Sequence, residues 1–209
     1  MESLTNAQLY GILDLGYVPA ERAAAVAREL IRGGVSVIQL RGKGWLPSDL
    51  LPVARAVSLH CAEADVPLII NDFPELVPLC GASGVHVGQD DLPVERARAL
   101  AGAGAIVGKS THSPDQAVAA ASEGADYIGF GPLFATATKP DYPAIGLVDI
   151  ARVHGAVRIP VFCIGGIKPH NLPDVLAAGA RRVVIVSALL QAEDIAATCR
   201  RCLDVLRTA

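Results

Sequence analysis

Residues 161–190, VFCIGGIKPHNLPDVLAAGARRVVIVSALL, hold two short apolar runs, and each ends where a backbone can grip an anion. The run 161–164 breaks into Gly165-Gly166 just before a helix that Pro169 and Asn171 help to start. Glycines there let main-chain N–H groups approach a phosphate, and a following helix adds the positive end of its dipole. The run 183–186 ends in Ser187-Ala188 and leads into another helical segment. Two neighbouring anion sites after the last two strands of an alternating chain form the phosphate cradle of an eight-stranded β/α barrel. The expectation is therefore one domain over residues 1–209, a single (β/α)8 TIM barrel of class α/β.

The upstream sequence supplies the other strands. Apolar, largely β-branched runs at 9–13, 35–40, 67–70, 84–87, 105–108 and 127–129 alternate with segments of helical spacing at 20–31, 49–64, 74–79, 94–101, 114–123 and 148–153. Ser113-Pro114 has the form of a helix start, with serine at the cap and proline in the first turn. At 209 residues the chain is near the lower limit for a full barrel. With 52% hydrophobic but only 4% aromatic residues, its core should be aliphatic. The segment after residue 129, FGPLFATATKPDYPAIG, is the longest irregular stretch and the natural candidate for a lid.

Charge and cysteine content exclude several classes. A net charge of −3 leaves no excess of cations for a nucleic-acid backbone. No apolar run reaches the ~18 residues of a membrane span, and the amino terminus lacks the basic and apolar blocks of a signal peptide. Five cysteines, an odd count, fit a reducing compartment, so the expected location is the cytoplasm. Cys199 and Cys202 have CxxC spacing but lie in a helical pattern with no second pair, and read as ordinary helix residues.

Polar residues collect at the carboxyl ends of the strands, which share one face in a parallel barrel. Gln39, Arg41 and Lys43 follow the second strand, Asn71 and Asp72 the third, Gln89 and Asp91 the fourth, Ser110 and His112 the fifth, and Thr136, Thr138 and Lys139 the sixth. Arg41, Lys43 and Lys139 place three cations on the rim, apart from the cradle after the last two strands, so the mouth suits two anionic groups. Asp72 and Asp91, from adjacent strands, are the pair of carboxylates with which Mg²⁺ is held beside phosphate oxygens. The inferred ligands are a diphosphate with Mg²⁺ and a monophosphate.

The blocks QLRGK at 39–43, ND at 71–72, VHVGQDD at 85–91, GKSTH at 108–112, GADYIGFGPLFATATK at 124–139, IGGI at 164–167 and VSA at 186–188 resemble thiamine phosphate synthases in content and order. The resemblance spans about residues 10–194. It implies a transferase that joins 4-amino-2-methyl-5-(diphosphooxymethyl)pyrimidine to a thiazole phosphate, releasing pyrophosphate. Carried over by position, it implies that Gln39, Arg41, Lys43, Asn71, Ser110 and Lys139 hold the pyrimidine diphosphate. It further implies that Thr136, Thr138, Gly166, Val186 and Ser187 hold the thiazole phosphate, and that Asp72 and Asp91 bind Mg²⁺. No covalent protein nucleophile is expected, since positioning and electrostatics suffice. A homodimer is also compatible with a barrel of this size.

Some residues carry plainer readings. Asp90 and Asp91 also suit a cap before the helix opened by Pro93, with Asp90 the cap and Asp91 the ligand. His86 lies within a short strand and reads as a packed, hydrogen-bonded histidine, Lys109 as structural or solvent-facing, and His60, His154 and His170 as remote from the mouth. Gly42 departs from the family, which usually has glutamate between the arginine and the lysine. Its expected effect is a looser loop lacking one carboxylate to orient the cations. Two alternative functions follow: a thiazole tautomerase acting through the histidine at position 112, and a noncatalytic sensor of thiazole phosphate. The joint presence of the rim cations and the carboxylate pair argues for the synthase.

Overall fold

Strands that are apolar on both faces need cover on both sides, and a closed parallel barrel inside a ring of helices supplies it. The computed structural model describes residues 2–136 and 143–208 and closes eight parallel strands in sequence order. They are β1 (Leu9–Asp14), β2 (Val37–Arg41), β3 (Leu68–Asn71), β4 (Gly84–Val87), β5 (Ile106–Thr111), β6 (Tyr127–Phe130), β7 (Val161–Cys163) and β8 (Val183–Ile185). Closure is made by β8 on β1, with Leu9 opposite Val183 and Gly11 opposite Ile185. A short α1 (Glu2–Thr5) precedes the barrel. Around it run α2 (Ala23–Arg32), α3 (Pro47–Glu63), α4 (Val77–Cys80), α5 (Val94–Ala101), α6 (Pro114–Ser122), α7 (Ile150–Ala156), α8 (Leu172–Ala177), α9 (Ser187–Leu190) and α10 (Ile195–Thr208). Among the described residues no helix is long and apolar enough to cross a membrane.

Residue parity along each strand divides the interior into two cores. Leu9 and Leu13, Ile38 and Leu40, Leu68 and Ile70, Val85 and Val87, and Val161 and Cys163 face outward into the layer beneath the helices. The intervening positions Tyr10, Ile12, Val37, Ile69, Tyr127, Phe162 and Val184 fill the barrel itself, and Leu4 and Ala7 from the amino-terminal segment join them. Lys109 has outward parity, is buried and faces Glu123 at 3.8 Å, in keeping with a structural role. Cys199 and Cys202 are buried in α10, where burial pushes the Cys199 thiol up to about 12. Neither is poised as a reactive thiolate.

Most strand bounds shift slightly from expectation, and β2 and β5 shift most. β2 begins at Val37 and runs through Arg41, and β5 runs on to Thr111, so Arg41, Lys109 and Ser110 are strand residues. The cause is the ladder itself: Ser110 pairs with Gly129 and Thr111 with Phe130, while Asp14 pairs with Arg41. Polar side chains do not end these strands because their inward positions open onto the mouth. The helix start at Ser113-Pro114 forms as expected, the Ser113 hydroxyl accepting a hydrogen bond from the Gln116 N–H at 3.2 Å.

The inner core is aromatic at its centre. Phe162 meets Tyr10 edge-on, with ring centroids 5.3 Å apart, and Tyr127 edge-on at 5.6 Å. Gly108 makes this possible, because a Cβ there would lie 2.1 Å from Cζ of Tyr127. Gly108→Ala should therefore cost about 2–3 kcal/mol through overpacking. Gly104→Ala, where a Cβ meets nothing within 4 Å, should be near neutral. Urea unfolding of both variants checks this, and equal midpoints would show that the ring stack adapts freely.

Candidate active site

The inward residues at the carboxyl ends of the strands surround one pocket. It is lined by Gln39 and Arg41 of β2, Asn71 of β3, His86 of β4 and Ser110 of β5, with His112, Thr136, Gly166, Val186 and Ser187 from the turns beyond the strands. The Tyr10–Tyr127–Phe162 cluster lies below these groups and also lines the pocket. The floor is thus aromatic and the walls polar.

Arg41 is held rigidly. It is 8% exposed, and its Nη1 donates to Asp14 Oδ2 at 2.5 Å. Asp14, itself 2% exposed, accepts a second bond at Oδ1 from the Gly16 N–H at 2.8 Å. Only one guanidinium nitrogen is used by this pair, which leaves further donors in a planar fork suited to phosphate oxygens. Gly42 is not a loose hinge. It is buried, and a Cβ there would come within 3.1 Å of both Leu50 and Trp45. The carboxylate that orients Arg41 comes from β1, where sequence reasoning assigned no role to Asp14.

His86 does more than pack. Its Nδ1 lies 3.0 Å from the Tyr127 hydroxyl and its Nε2 lies 2.9 Å from Ser110 Oγ. The Tyr127 hydroxyl in turn is 3.0 Å from that of Tyr10, to which Gln39 Nε2 donates at 2.8 Å. Burial raises both tyrosine pKa values well above the ordinary phenol range, so both stay protonated. His112 is fixed from outside the strand: its Nδ1 bonds the Gly131 carbonyl, and its N–H donates to Gln116 Oε1 at 2.7 Å. Gln89 donates through Nε2 to the Ser110 carbonyl, joining the turn after β4 to β5.

The anion cradle is built from close backbone approach. Gly165 and Gly166 have φ of 101° and 66°, and a Cβ on Gly165 would sit 2.4 Å from Pro132. Asn171 braces the turn, accepting from the Lys168 N–H at 2.7 Å and donating to the Gly166 carbonyl at 3.0 Å. The helices beyond the cradle are short, α8 having 6 residues and α9 having 4. Local N–H groups therefore matter more here than the macrodipole expected from the sequence.

Three expected site residues lie outside the pocket lining. Lys43 is exposed on the loop after β2, while Asp72 and Asp91 are exposed in the turns after β3 and β4. Asp72 has a left-handed backbone, φ 65°, rare for a residue with a side chain and typical of functional turns. Asp91 Oδ2 accepts from the Gly88 N–H at 2.6 Å and braces its own turn, while the cap position of α5 is Pro93, so neither Asp90 nor Asp91 caps that helix. Thr138 and Lys139 fall outside the described residues. Among the described residues no group of three or more His, Cys, Asp or Glu is arranged for a metal. Two carboxylates in the turns after β3 and β4 would suit Mg²⁺ completed by phosphates and water, and are too few for structural zinc.

The chain is 42% identical over 193 residues to the thiamine-phosphate synthase of Halalkalibacterium halodurans, covering 92% of each. It is 45% identical over 166 residues to that of Thermus thermophilus, covering 78% of this chain and 79% of the relative. The structure superposes on a thiamine phosphate pyrophosphorylase from Pyrococcus furiosus with a TM-score of 0.89 at 29% identity, covering 98% of each chain. The 3-hexulose-6-phosphate synthase barrel, at TM-score 0.71 and 23% identity, shares the fold alone. The family model described as thiamine monophosphate synthase matches residues 9–189, and the chain belongs to that family.

Proposed function

We propose that the barrel mouth joins a pyrimidine carrying a diphosphooxymethyl group to a thiazole phosphate, giving thiamine phosphate and pyrophosphate. The chain is a transferase of the thiamine-phosphate synthase type. The observation that carries the site reading is the convergence of Gln39, Arg41, Asn71, Ser110, Thr136, Gly166, Val186 and Ser187 on one pocket. Gln39, Asn71 and Ser110 would hold the pyrimidine part, with Arg41, Lys43 and Lys139 on its diphosphate. Thr136, Thr138, Gly166, Val186 and Ser187 would hold the thiazole phosphate.

The chemistry requires little of the protein beyond placement and charge. The bond between the methylene carbon and the diphosphate oxygen breaks with both electrons passing to oxygen. The thiazole nitrogen lone pair forms the new C–N bond, and no proton need move. Arg41, clamped by Asp14, presents fixed positive charge where negative charge develops, with no reorganisation during the step. The phosphate anchor brings the thiazole nitrogen within reach of the methylene carbon. Mg²⁺, held by Asp72 and Asp91, would neutralise charge on the diphosphate. The five buried, unpaired thiols suit a reducing cytoplasm.

With both substrates present, thiochrome fluorescence should report product in Mg²⁺ and none in chelator. Asp72→Asn should lower Mg²⁺-dependent turnover by about two orders of magnitude. Turnover indifferent to chelator would remove the metal assignment while leaving the transferase intact.

A second expectation concerns the clamp. Asp14→Ala leaves a buried guanidinium without its carboxylate and should cost about 3 kcal/mol of stability. It should also raise KM for the pyrimidine diphosphate about tenfold, by releasing one oriented charged contact. Denaturant unfolding and steady-state kinetics measure both, and unchanged values would show that Asp14 does not hold Arg41.

A further inference from the structure

A continuous chain of hydrogen bonds crosses the floor of the pocket from β2 to β5, linking Gln39, Tyr10, Tyr127, His86 and Ser110. Both ends of the chain line the same pocket. The mechanism above uses only those ends.

The direction of the chain is fixed once its first member is fixed. Gln39 Nε2 donates to the Tyr10 oxygen, so the Tyr10 hydrogen is available for Tyr127. The Tyr127 hydrogen then goes to His86 Nδ1, which makes that nitrogen the acceptor. A neutral imidazole with an acceptor at Nδ1 carries its proton at Nε2. That proton is donated to Ser110 Oγ, leaving the serine hydrogen for a further partner. At the other end, the amide of Gln39 has committed one of its two N–H groups to Tyr10, which stops the amide from turning over and holds its Oε1 in place as an acceptor. Buried hydrogen-bonded groups of this kind hold one another in register, since reversing any one leaves a neighbour unsatisfied.

We propose that Tyr10, Tyr127 and His86 are positioning residues that set the polarity of the pocket, with an acceptor at Gln39 and a donor at Ser110. The pocket therefore selects a planar heterocycle that offers an N–H toward β2 and a lone pair toward β5. An aminopyrimidine has this pattern, so the inference rests on the substrate reading above and adds the groups that enforce it. None of the three residues forms or breaks a bond in the reaction. Their contribution is to stop the two terminal groups from exchanging donor for acceptor roles, which would leave an N–H of the ligand facing an N–H of the protein.

The test begins on the ligand-free protein, so that it does not depend on turnover. Long-range ¹H–¹⁵N correlation of the His86 imidazole should show a neutral ring protonated at Nε2. In Tyr127→Phe, which keeps the ring and removes only the hydroxyl, the Nε2 form should lose its dominance. A ring protonated at Nδ1, or at both nitrogens, would reverse or abolish the relay and overturn the proposal, as would a tautomer unchanged in Tyr127→Phe. Kinetics give the second readout. Tyr10→Phe frees the Gln39 amide and should raise KM for the pyrimidine diphosphate about tenfold, with KM for the thiazole phosphate unchanged and kcat within a few-fold. Equal increases in both KM values, or none, would count against a positioning role. Absence of product from the native protein, with the Nε2 tautomer intact, would instead reject the substrate reading alone.

Discussion

Closing eight parallel strands on themselves leaves an interior that must be filled at one end and emptied at the other, and the site follows from that requirement. The barrel is plugged by Leu4, Ala7, Tyr10, Val37, Ile69, Tyr127 and Phe162. Above this level the same inward parity delivers Gln39, Arg41, Asn71, His86 and Ser110 into the pocket. Apolar floor and polar wall are successive positions of one alternation, two residues apart on each strand. Tyr10 and Ile12 on β1, Val37, Gln39 and Arg41 on β2, and Gly108 and Ser110 on β5 show the sequence of change along the barrel axis. A register slip of one residue in any strand would exchange these groups with the outer core.

That dependence explains why some of the site was legible in the sequence and some was not. Residues at strand ends stood out because polar groups interrupt apolar runs, and Gln39, Arg41, Asn71 and Ser110 do line the pocket. The cradle residues Gly166 and Ser187 were visible through turn chemistry, since glycine pairs and a serine at a helix start are local signals. Tyr10 and Tyr127 were overlooked because they sit within strands and satisfy an apolar reading, while His86 was read correctly as packed and hydrogen-bonded but given no place at the site. Their signal was parity: each lies an even number of residues from a recognised site position in register, as Tyr10 does opposite Val37 and His86 opposite Asn71. Asp14 had no local signal at all. Its meaning comes from the ladder that places it opposite Arg41, a contact separated by 27 residues.

The expected effect of Gly42 failed for a related reason. Taken alone, glycine between two cationic residues suggests flexibility, but Trp45 and Leu50 pack where its side chain would be, and the Trp45 N–H donates to its carbonyl at 3.1 Å. Packing overrides the intrinsic freedom of the residue. The orienting carboxylate is then supplied from the neighbouring strand, which holds the guanidinium more firmly than an adjacent loop residue would.

Charge is also separated by height in the barrel, and the proposed chemistry needs that separation. The floor is neutral, because burial keeps Tyr10 and Tyr127 protonated far above any working pH. Arg41, Asp72 and Asp91 stand at or beyond the ends of β2, β3 and β4. In the proposed reaction the diphosphate would depart toward the rim, where the Arg41 guanidinium would meet its growing negative charge, while the pyrimidine would stay against uncharged rings. The same burial that stabilises the inner core thus keeps the floor uncharged, so that the proposed reaction would find its charged groups at the rim alone.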